Sequence, residues 1–550
     1  MNNVKDLQTI EETLKYLQFD NWEQSAPGLA RSRELLGLLG NPEQKLKFVH
    51  IAGTNGKGST AAMLASVLQR AGYRTGLYTS PHLLRFHERM RVNGEEIDDE
   101  SLISLTNTVR NAAERMSEMP TGFEIMTAIA FLYFVQEQCD IVSLEVGLGG
   151  RMDSTNVIPA PEVCVVANIG LEHTAILGDT VEKIAAEKCG IIKHGSHAVL
   201  FGQSEGVENV AREKCAQEDV ALTITAQEKL ERISSSLDGQ EFKYRGRGPY
   251  HLRLLGEYQL LNALTVIDVC NALRSRGWDK LTDEAIDEGL SHAQWPGRLE
   301  LLRRGPDFIV DGAHNPQCVD ALMDSLAALY GDKKLIFLTG VLRDKDWQQM
   351  LRRALPLAKA FVVITPPSAR ALDENELAAW LNAQGVQAVP AKDTDDGVRR
   401  ALELAGEDDA ICSWGSLYFT GEVRHALFQR DGFGRLFKER QYEMYACFQN
   451  FTELAQPFHD DDRRLTDDLD GTNRRKTHQP TSAAFSAHTG RKTGKSVADF
   501  RVRRREIILI INRRDMRVAI YSSRFARVAA AYGGKARSEV RSPKIKRTPS

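Results

Sequence analysis

Residues 53–60 read Gly-Thr-Asn-Gly-Lys-Gly-Ser-Thr and directly follow the apolar run Phe48–Ala52. The next segment, Ala-Ala-Met-Leu-Ala-Ser-Val-Leu at 61–68, is rich in helix formers. A strand, a glycine-rich turn and a helix in this order bind polyphosphates, because backbone N–H groups and the helix N-terminus point at the anion. Lys57 would neutralise phosphate oxygens, and Ser59 or Thr60 would place a hydroxyl on Mg²⁺. The segment therefore predicts an ATP-using enzyme.

The spacing of this loop differs from that of the common P-loop, which has four residues between its first glycine and the Gly-Lys pair. Here only Thr54 and Asn55 intervene, and Gly58 separates Lys57 from Ser59. The alternative interpretation is a glycine-rich turn that caps a helix without a ligand. The strand before the loop and the helix after it favour phosphate binding.

The composition is that of a globular protein, with 42% hydrophobic and 26% charged residues in a chain of 550. Such a length predicts two or more domains. No run of 18 apolar residues and no apolar signal-peptide core at the start are found, so no membrane span is expected. The eight cysteines are scattered without a C-x-x-C pair, which predicts reduced thiols and a cytoplasmic location.

Apolar strand-like runs alternate with helical stretches along the first part of the chain. The alternation predicts an α/β fold with a parallel sheet covered by helices on both faces. The predicted strands are residues 48–52, 75–79, 141–146 and 163–169, and the helices between them include 60–71 and 125–137. A less regular stretch at about 198–255, with candidate strands at 221–225 and 242–244, precedes helices at 258–276 and 283–291.

The segment Ala-Gln-Trp-Pro-Gly-Arg at residues 293–298 interrupts this pattern, because Pro-Gly ends the preceding helix and is typical of a hinge. Strand and helix patterns then resume, with strands predicted at 307–310, 334–339, 360–365 and 410–414. We therefore predict a first domain over residues 1–295, a second and smaller α/β domain over 296–429, and a separate tail over 430–550.

The tail is basic although the whole chain has a net charge of −3: from residue 431 onward there are 26 Lys and Arg against 14 Asp and Glu. We expect it to be mostly disordered, with a strand-like run at 507–511 and a short helix at 525–532. A basic tail can contact nucleic acid or another acidic surface. A solvated appendage without function is the more frequent case, and a reading frame that continues past the true end has the same composition.

Further candidate residues follow the predicted strands, at the sheet edge where parallel sheets bind ligands. Ser80 would offer a hydroxyl to Mg²⁺, and Glu145 is a lone carboxylate on a buried strand, which is costly unless it is paired or bound to a metal. His173 reaches the same edge. A turn residue, a salt-bridged glutamate and a structural histidine are the respective alternatives. Lys188 would be an anionic ligand only if carbamylated.

Together these motifs resemble the folylpolyglutamate synthase and dihydrofolate synthase family of the Mur ligase superfamily. The resemblance covers about residues 5–428 and leaves out the tail. It implies a P-loop central ATPase domain with a parallel sheet and a smaller Rossmann-like α/β C-terminal domain that ligates glutamate. The matching motifs lie at residues 53–60, 80–82, 145–151, 153–156, 173, 187–188, 296–298, 311–316 and 415–418.

The resemblance also implies two cofactors, ATP and Mg²⁺, and a role for each matching residue. ATP would be bound by Gly53, Thr54, Asn55, Gly56, Lys57, Gly58, Ser59, Thr60, Asn262, Arg298 and Asp311. One Mg²⁺ would be held by Ser80 and Glu145, and a second by Glu145, His173 and carbamylated Lys188. The catalytic residues would be Lys57, Lys188, His314 and Ser416, and the substrate-binding residues Arg31, Phe123, Asp153 and Tyr418. At residues 28–31, Ala30 stands where the family has a glutamate.

The implied reaction is the ATP-dependent addition of L-glutamate to a folate, and also to dihydropteroate, through an acyl phosphate intermediate. Phosphorylation of the carboxylate is chemically sensible because it replaces a bad leaving group by phosphate. We expect a monomer whose partners are small-molecule substrates.

Two alternatives stay open. A Mur-type peptidoglycan amino-acid ligase would usually carry an additional N-terminal domain before the phosphate loop. A non-ligase P-loop NTPase would need no amino-acid site, and the motifs at 311–316 and 415–418 argue against it.

Overall fold

The computed structural model describes residues 6–17, 28–430, 507–512 and 517–522. The chain divides into two compact units, Met1–Tyr445 and Ala446–Ser550. The first unit contains two separate mixed sheets, each with its own helices, and we call these two parts the first and the second lobe.

The first lobe is built on an eight-stranded sheet whose central strands are buried along their whole length. Its strands are β1 Phe48–Ala52, β2 Thr75–Tyr78, β3 Met90–Val92, β4 Glu95–Glu96, β5 Ile141–Glu145, β6 Val163–Val166, β7 His197–Leu200 and β8 Ala221–Ile224. The spatial order is β4-β3-β2-β5-β1-β6-β7-β8. All neighbours pair in parallel except β3, which is antiparallel to both β2 and β4. The carboxyl ends of β2, β5, β1 and β6 therefore meet at one edge.

Helices cover both faces of this sheet, as the burial of its central strands requires. They are α1 Ile10–Leu17, α2 Ala30–Leu38, α3 Lys57–Arg70, α4 Asp99–Ala113, α5 Gly122–Gln136, α6 Thr174–Leu177, α7 Val181–Cys189, α8 Glu205–Glu218, α9 Glu257–Arg274 and α10 Asp283–Ser291. One core contains buried side chains of α3, α9 and α10, a second contains those of α4 and α5, and a third those of α7 and α8.

The stretch 198–255 is more regular than its sequence predicts. Besides β7, α8 and β8 it contains an antiparallel three-stranded sheet of β9 Leu230–Ser236, β10 Gly239–Tyr244 and β11 Arg247–Leu252. Strand β9 was not predicted because only its first residue, Leu230, is buried, and its sequence shows no apolar alternation.

The second lobe repeats the α/β pattern around a six-stranded sheet. Its strands are β12 Glu300–Arg303, β13 Asp307–Val310, β14 Leu335–Thr339, β15 Ala358–Val363, β16 Ala388–Pro390 and β17 Ala410–Trp414, in the order β12-β13-β17-β14-β15-β16. Only β12 is antiparallel to its neighbour. Its helices are α11 Pro316–Tyr330, α12 Trp347–Ala354, α13 Glu374–Ala383, α14 Thr394–Leu404 and α15 Leu417–Arg430.

The α/β class and the parallel-rich sheets are confirmed, and the differences at element ends have local causes. Helix α3 begins at Lys57, three residues earlier than predicted, because Gly56 adopts a left-handed φ of 83° at its N-cap. Strand β6 ends at Val166 because the carbonyl of Asn168 accepts hydrogen bonds from the phosphate loop. The boundary between the two domains at residues 295 and 296 stays a prediction.

The second unit contributes one described element pair, an antiparallel hairpin of β18 Ile507–Asn512 and β19 Arg517–Ser522. Strand β18 confirms the strand predicted at 507–511. The helix predicted at 525–532 and the expected disorder of the tail fall outside the described residues. In the described part of the chain, every helix is too short or too polar to cross a membrane.

A buried ion pair ties the start of β12 to α15. Glu300 Oε1 accepts from Arg424 Nε at 3.2 Å, and Glu300 Oε2 accepts from the backbone N–H of Gly297 at 2.8 Å. Only 2% of the Arg424 side chain and 8% of the Glu300 side chain are exposed. Truncating one partner of such a pair removes the favourable interaction but leaves the other charge desolvated.

We therefore expect Glu300→Ala to lower the free energy of unfolding by about 3 kcal/mol. The measurement is urea unfolding followed by Trp fluorescence. Glu376→Ala is the matched control, because its partner Arg343 and Glu376 itself are both about half exposed, and it should cost less than about 1 kcal/mol. Equal losses in the two variants would contradict the role of burial.

Candidate active site

The phosphate loop connects the end of β1 to the start of α3, and its glycines have little room for a side chain. A Cβ on Gly56 would lie 2.6 Å from Asn262 Oδ1, and one on Gly58 would lie 2.6 Å from the Trp295 ring. Gly53 runs with a φ of 159° past Ala167, whose Cβ would be 2.8 Å from an added Cβ. The close approach of these residues explains why glycine occupies the three positions.

The loop is fixed to the chain that follows β6. The backbone N–H groups of Thr54 and Asn55 both donate to the carbonyl of Asn168, at 2.7 and 3.2 Å. The Thr54 hydroxyl donates to the carbonyl of Gly170 at 3.1 Å, and Lys57 Nζ donates back to the carbonyl of Thr54 at 3.1 Å. The loop is therefore held in place by hydrogen bonds, and the side chain of Lys57 lies against its backbone.

The hydroxyls at the start of α3 are buried, and that of Ser59 connects to α9. Ser59 Oγ accepts from Gln259 Nε2 at 3.1 Å, and Gln259 Oε1 accepts from Asn262 Nδ2 at 3.1 Å. The Thr60 hydroxyl is buried without a hydrogen-bond partner among the described residues. This network links predicted phosphate-loop residues to Asn262, the predicted ATP contact that lies some 200 residues later in the chain.

Glu145 ends β5 beside the loop, as predicted, and it is nearly inaccessible to solvent. Its Oε2 accepts from the backbone N–H of Ser80 at 3.1 Å. Burial raises the pKa of Glu145, while Lys57, the Ser80 N–H, Arg298 and Arg89 oppose that rise. A buried carboxylate beside the phosphate loop fits a divalent cation that bridges to phosphate.

Lys188, in α7, also lies against the phosphate loop. Its Nζ donates to the carbonyl of Gly53 at 2.7 Å, and only 4% of the residue is exposed. Burial and the nearby Lys57 lower the pKa of Lys188 to about 7. A lysine with this pKa is largely neutral at slightly alkaline pH, and a neutral amine is the form that reacts with CO₂.

The loop after β6 brings Glu172 and His173 toward the second lobe. His173 is the N-cap of α6 with a left-handed φ of 52°. Glu172 faces His314 Nε2 at 3.7 Å and Lys345 Nζ at 3.9 Å, and His314 Nδ1 donates to the carbonyl of Gly312 at 2.8 Å. Burial alone would raise the pKa of Glu172, but His314 and the other nearby cations lower it to about 2.

Asp311 follows β13 at the junction of the lobes. Its carboxylate accepts from the backbone N–H of Leu299 at 2.7 Å, from the N–H of Ala313 at 2.7 Å and from the Tyr258 hydroxyl at 3.0 Å. Burial raises the pKa of Asp311, and Arg298 opposes this. Arg298 itself lies so close to Gly312 that a Cβ there would collide with its guanidinium.

The turn after β17 packs beside this motif. The N–H of Gly415 donates to the carbonyl of Ala313 at 3.0 Å, which brings the segment of the buried Ser416 beside that of His314. The carbonyl of Ser416 accepts from the Thr420 hydroxyl at 2.9 Å. Tyr418 belongs to α15, but its side chain lies outside the described part of the structure.

The predicted substrate residues form a second group, around the amino end of α5 and the loop after β5. The ring of Phe123 covers Gly147, where a Cβ would collide with it. Asp153 Oδ2 accepts from the N–H of Leu148 at 2.8 Å and its Oδ1 from that of Thr155 at 3.0 Å. Both carboxylate oxygens of Asp153 thus organise the glycine-rich loop.

Arg31, the remaining predicted substrate residue, is also engaged in the protein. Its Nε donates to Glu124 Oε2 at 3.2 Å, and its Nη1 donates to Glu118 Oε1 at 2.9 Å. Glu124 completes a capping box with Thr121 at the start of α5. Arg31 and Asp153 therefore shape this second group, and their contact with a substrate stays a prediction.

Several residues at this site were not predicted from the sequence. Each lies either next to a predicted residue or on the other side of the lobe junction. They are Arg89, Glu172, Tyr258, Gln317 and Lys345. Glu172 and Gln317 lie next to motif residues and had no signal of their own. The others become visible only when the fold brings distant segments together.

The described residues contain no group of three His, Cys, Asp or Glu side chains arranged to hold a metal ion. The predicted donor set differs from such a group, since it combines Glu145 and His173 with the Ser80 hydroxyl and Lys188. Lys57 lies close enough to Glu145, His173 and Lys188 to influence the pKa of each. An anion-binding loop, a buried carboxylate and a lysine with a pKa of about 7 therefore lie at one sheet edge. His314 of the second lobe faces this edge through Glu172.

Comparison with known proteins identifies the domains of this chain. The Mur ligase middle domain matches residues 51–270, and the Mur ligase glutamate ligase domain matches residues 297–417. Dihydrofolate synthase/folylpolyglutamate synthase of Bacillus subtilis (strain 168) is 35% identical over 420 residues, which are 73% of this chain and 95% of that protein.

Two solved structures extend the comparison to bound ligands. E. coli FolC in complex with DHPP and ADP is 28% identical, with a TM-score of 0.70 over 78% of this chain and 100% of that one. The bifunctional folylpolyglutamate synthase/dihydrofolate synthase of Yersinia pestis, complexed with AMPPNP and a Mn ion, is 29% identical, with a TM-score of 0.67 over 77% and 100%. The chain therefore belongs to the folylpolyglutamate synthase/dihydrofolate synthase family of Mur ligases.

Proposed function

We propose that this protein is an ATP-dependent ligase that joins L-glutamate to folates, and also to dihydropteroate, through an acyl phosphate. One observation carries the proposal: the phosphate loop of the first lobe meets the Asp311–Asn315 motif of the second lobe beside the buried Glu145. Family membership and the nucleotide complexes of its relatives support the same reaction.

The division of labour follows from the geometry of each lobe. The glycine-rich loop and Lys57 bind and orient the phosphates, and Glu145 with Ser80 holds the divalent cation. The group around Phe123 and Gly147 offers an aromatic face for a planar pterin ring. His314 and Ser416 lie where an incoming amino acid would enter from the second lobe. When bound, ATP supplies the activating phosphoryl group and Mg²⁺ neutralises the charge that develops on it.

Closure of the lobes protects the activated carboxyl group. An acyl phosphate reacts with water to return the carboxylate and phosphate, so a productive site must exclude water until the amine attacks. The polar contacts across the lobe junction, including Glu172 with His314 and Lys345, serve this purpose. We further propose that the enzyme works as a monomer in the cytoplasm with small-molecule partners, and that the basic tail is dispensable for ligation.

The reaction is tested by measuring phosphate release and amide formation from ATP with dihydropteroate or tetrahydrofolate, each with and without L-glutamate. We expect release that depends on both substrates, in one-to-one ratio with the amide. Lys57→Ala should reduce turnover by about 100-fold or more, because it removes a preorganised charge from the phosphate site, with an unchanged circular dichroism spectrum. Substrate-independent phosphate release would favour the non-ligase NTPase alternative.

Glu145→Gln tests the metal site. The amide keeps the size of the side chain and its contact with the Ser80 N–H but loses the negative charge, so the Mg²⁺ concentration for half-maximal activity should rise by about tenfold or more. Glu213→Gln, at an exposed position of α8, is the control and should titrate like the native enzyme. An unchanged Mg²⁺ titration of Glu145→Gln would contradict its role as a ligand.

Lys188 should form a carbamate with CO₂ in a pH-dependent way. Because its pKa is lowered to about 7, the neutral amine prevails above that pH, and the ammonium that prevails below it does not react. ¹³C NMR in ¹³C-bicarbonate should show a carbamate signal that is lost in Lys188→Met and on acidification. Lys193, a half-buried lysine whose pKa burial lowers to about 8, is the control: a signal that disappears in Lys193→Met instead would refute the assignment.

A further inference from the structure

Asn55 of the phosphate loop makes direct side-chain contacts with the second lobe. Its Nδ2 donates to Gln317 Oε1 at 2.7 Å. Its Oδ1 accepts from Asn315 Nδ2 at 3.3 Å and from Cys318 Sγ at 3.1 Å. The amide of Asn55 thus uses its donor and its acceptor side on a single turn of the second lobe.

Both sides of this contact are rigid. The backbone N–H of Asn55 is held by the carbonyl of Asn168, so its side chain leaves the loop in a fixed direction. On the other side, Asn315 is the N-cap of α11, where its Oδ1 accepts from the N–H of Cys318 at 2.8 Å, and Pro316 occupies the first helical turn. A rigid loop therefore faces a rigid helix end.

Gln317 also rests on the first lobe at a second point. A Cβ on Gly170 would collide with the Gln317 side chain, and the three atoms nearest to that Cβ all belong to Gln317. The carbonyl of Gly170 meanwhile accepts from the Thr54 hydroxyl. Gln317, although exposed, thus contacts the first lobe at both Asn55 and Gly170.

We propose that Gln317 is a positioning residue for the ligation reaction, which holds the second lobe closed on the phosphate loop through Asn55 and Gly170. This inference rests on the proposed function. Gln317 acts through its contacts with Asn55 and Gly170 and not on the substrate itself. Its loss lets water reach the acyl phosphate, and the hydrolysis that follows regenerates the folate carboxylate and releases phosphate without an amide.

Gln317→Ala is the direct test, with phosphate and amide measured in the same reaction. We expect kcat for ligation to fall by about fivefold, the effect of losing one net hydrogen bond, with less than about a twofold change in the KM for ATP. The ratio of phosphate released to amide formed should rise above one. Gln384→Ala, at the exposed C-cap of α13, is the matched control and should keep the native ratio.

Gly170→Ala disturbs the same contact from the other lobe, because its methyl group displaces the Gln317 side chain. As a single variant it should raise the ratio of phosphate to amide. Combined with Gln317→Ala it should raise that ratio no further, because the side chain that it displaces is absent. Additive effects, or a Gln317→Ala enzyme with native kcat and ratio, would overturn the proposal. A native enzyme that forms no amide would instead overturn the proposed function, so the two failures are distinguishable.

Discussion

The site depends on the two hydrogen bonds that the phosphate loop donates to the carbonyl of Asn168. These bonds fix the loop to the chain that leaves β6, and the same chain carries Glu172 and His173 toward the second lobe. The loop is therefore part of a frame that already includes the junction of the lobes. A phosphate site whose N–H groups are oriented before binding loses little free energy to reorganisation when the anion arrives.

Charge is distributed around this frame with one consistent pattern. Glu145 and Asp311 are buried carboxylates whose pKa values are raised by burial, and cationic side chains from both lobes oppose the rise. Lys57 and Arg298 come from opposite sides of the lobe junction, and both act on Glu145. The charges that surround Glu145 are therefore complete only when the two lobes are together. Closure of the lobes would thus set the electrostatics of the site directly.

The sequence predicted the parts of the fold whose signal is local. The strands and helices around the phosphate loop were predicted because apolar runs, glycines and helix formers coincide there, and Glu145 because a charge on an apolar strand is unusual. Strand β9 was missed because its polar, exposed residues carry no periodic signal. Glu172 and Gln317 were missed because an ordinary Glu or Gln beside a motif acquires a role only through a partner on the other lobe. The assigned functions of Arg31 and Asp153 came from resemblance, whereas the structure shows what their side chains do inside the protein.

The three bonds to the Asp311 carboxylate have a geometric consequence for any swing of the second lobe. They tie Leu299, just after the hinge, and Tyr258, on α9, to the beginning of the 311–316 motif. An axis of rotation that preserves all three must pass close to Asp311, so residues near it move little, while β16 at the far edge of the sheet travels furthest. Small angular changes would then be amplified with distance from that pivot.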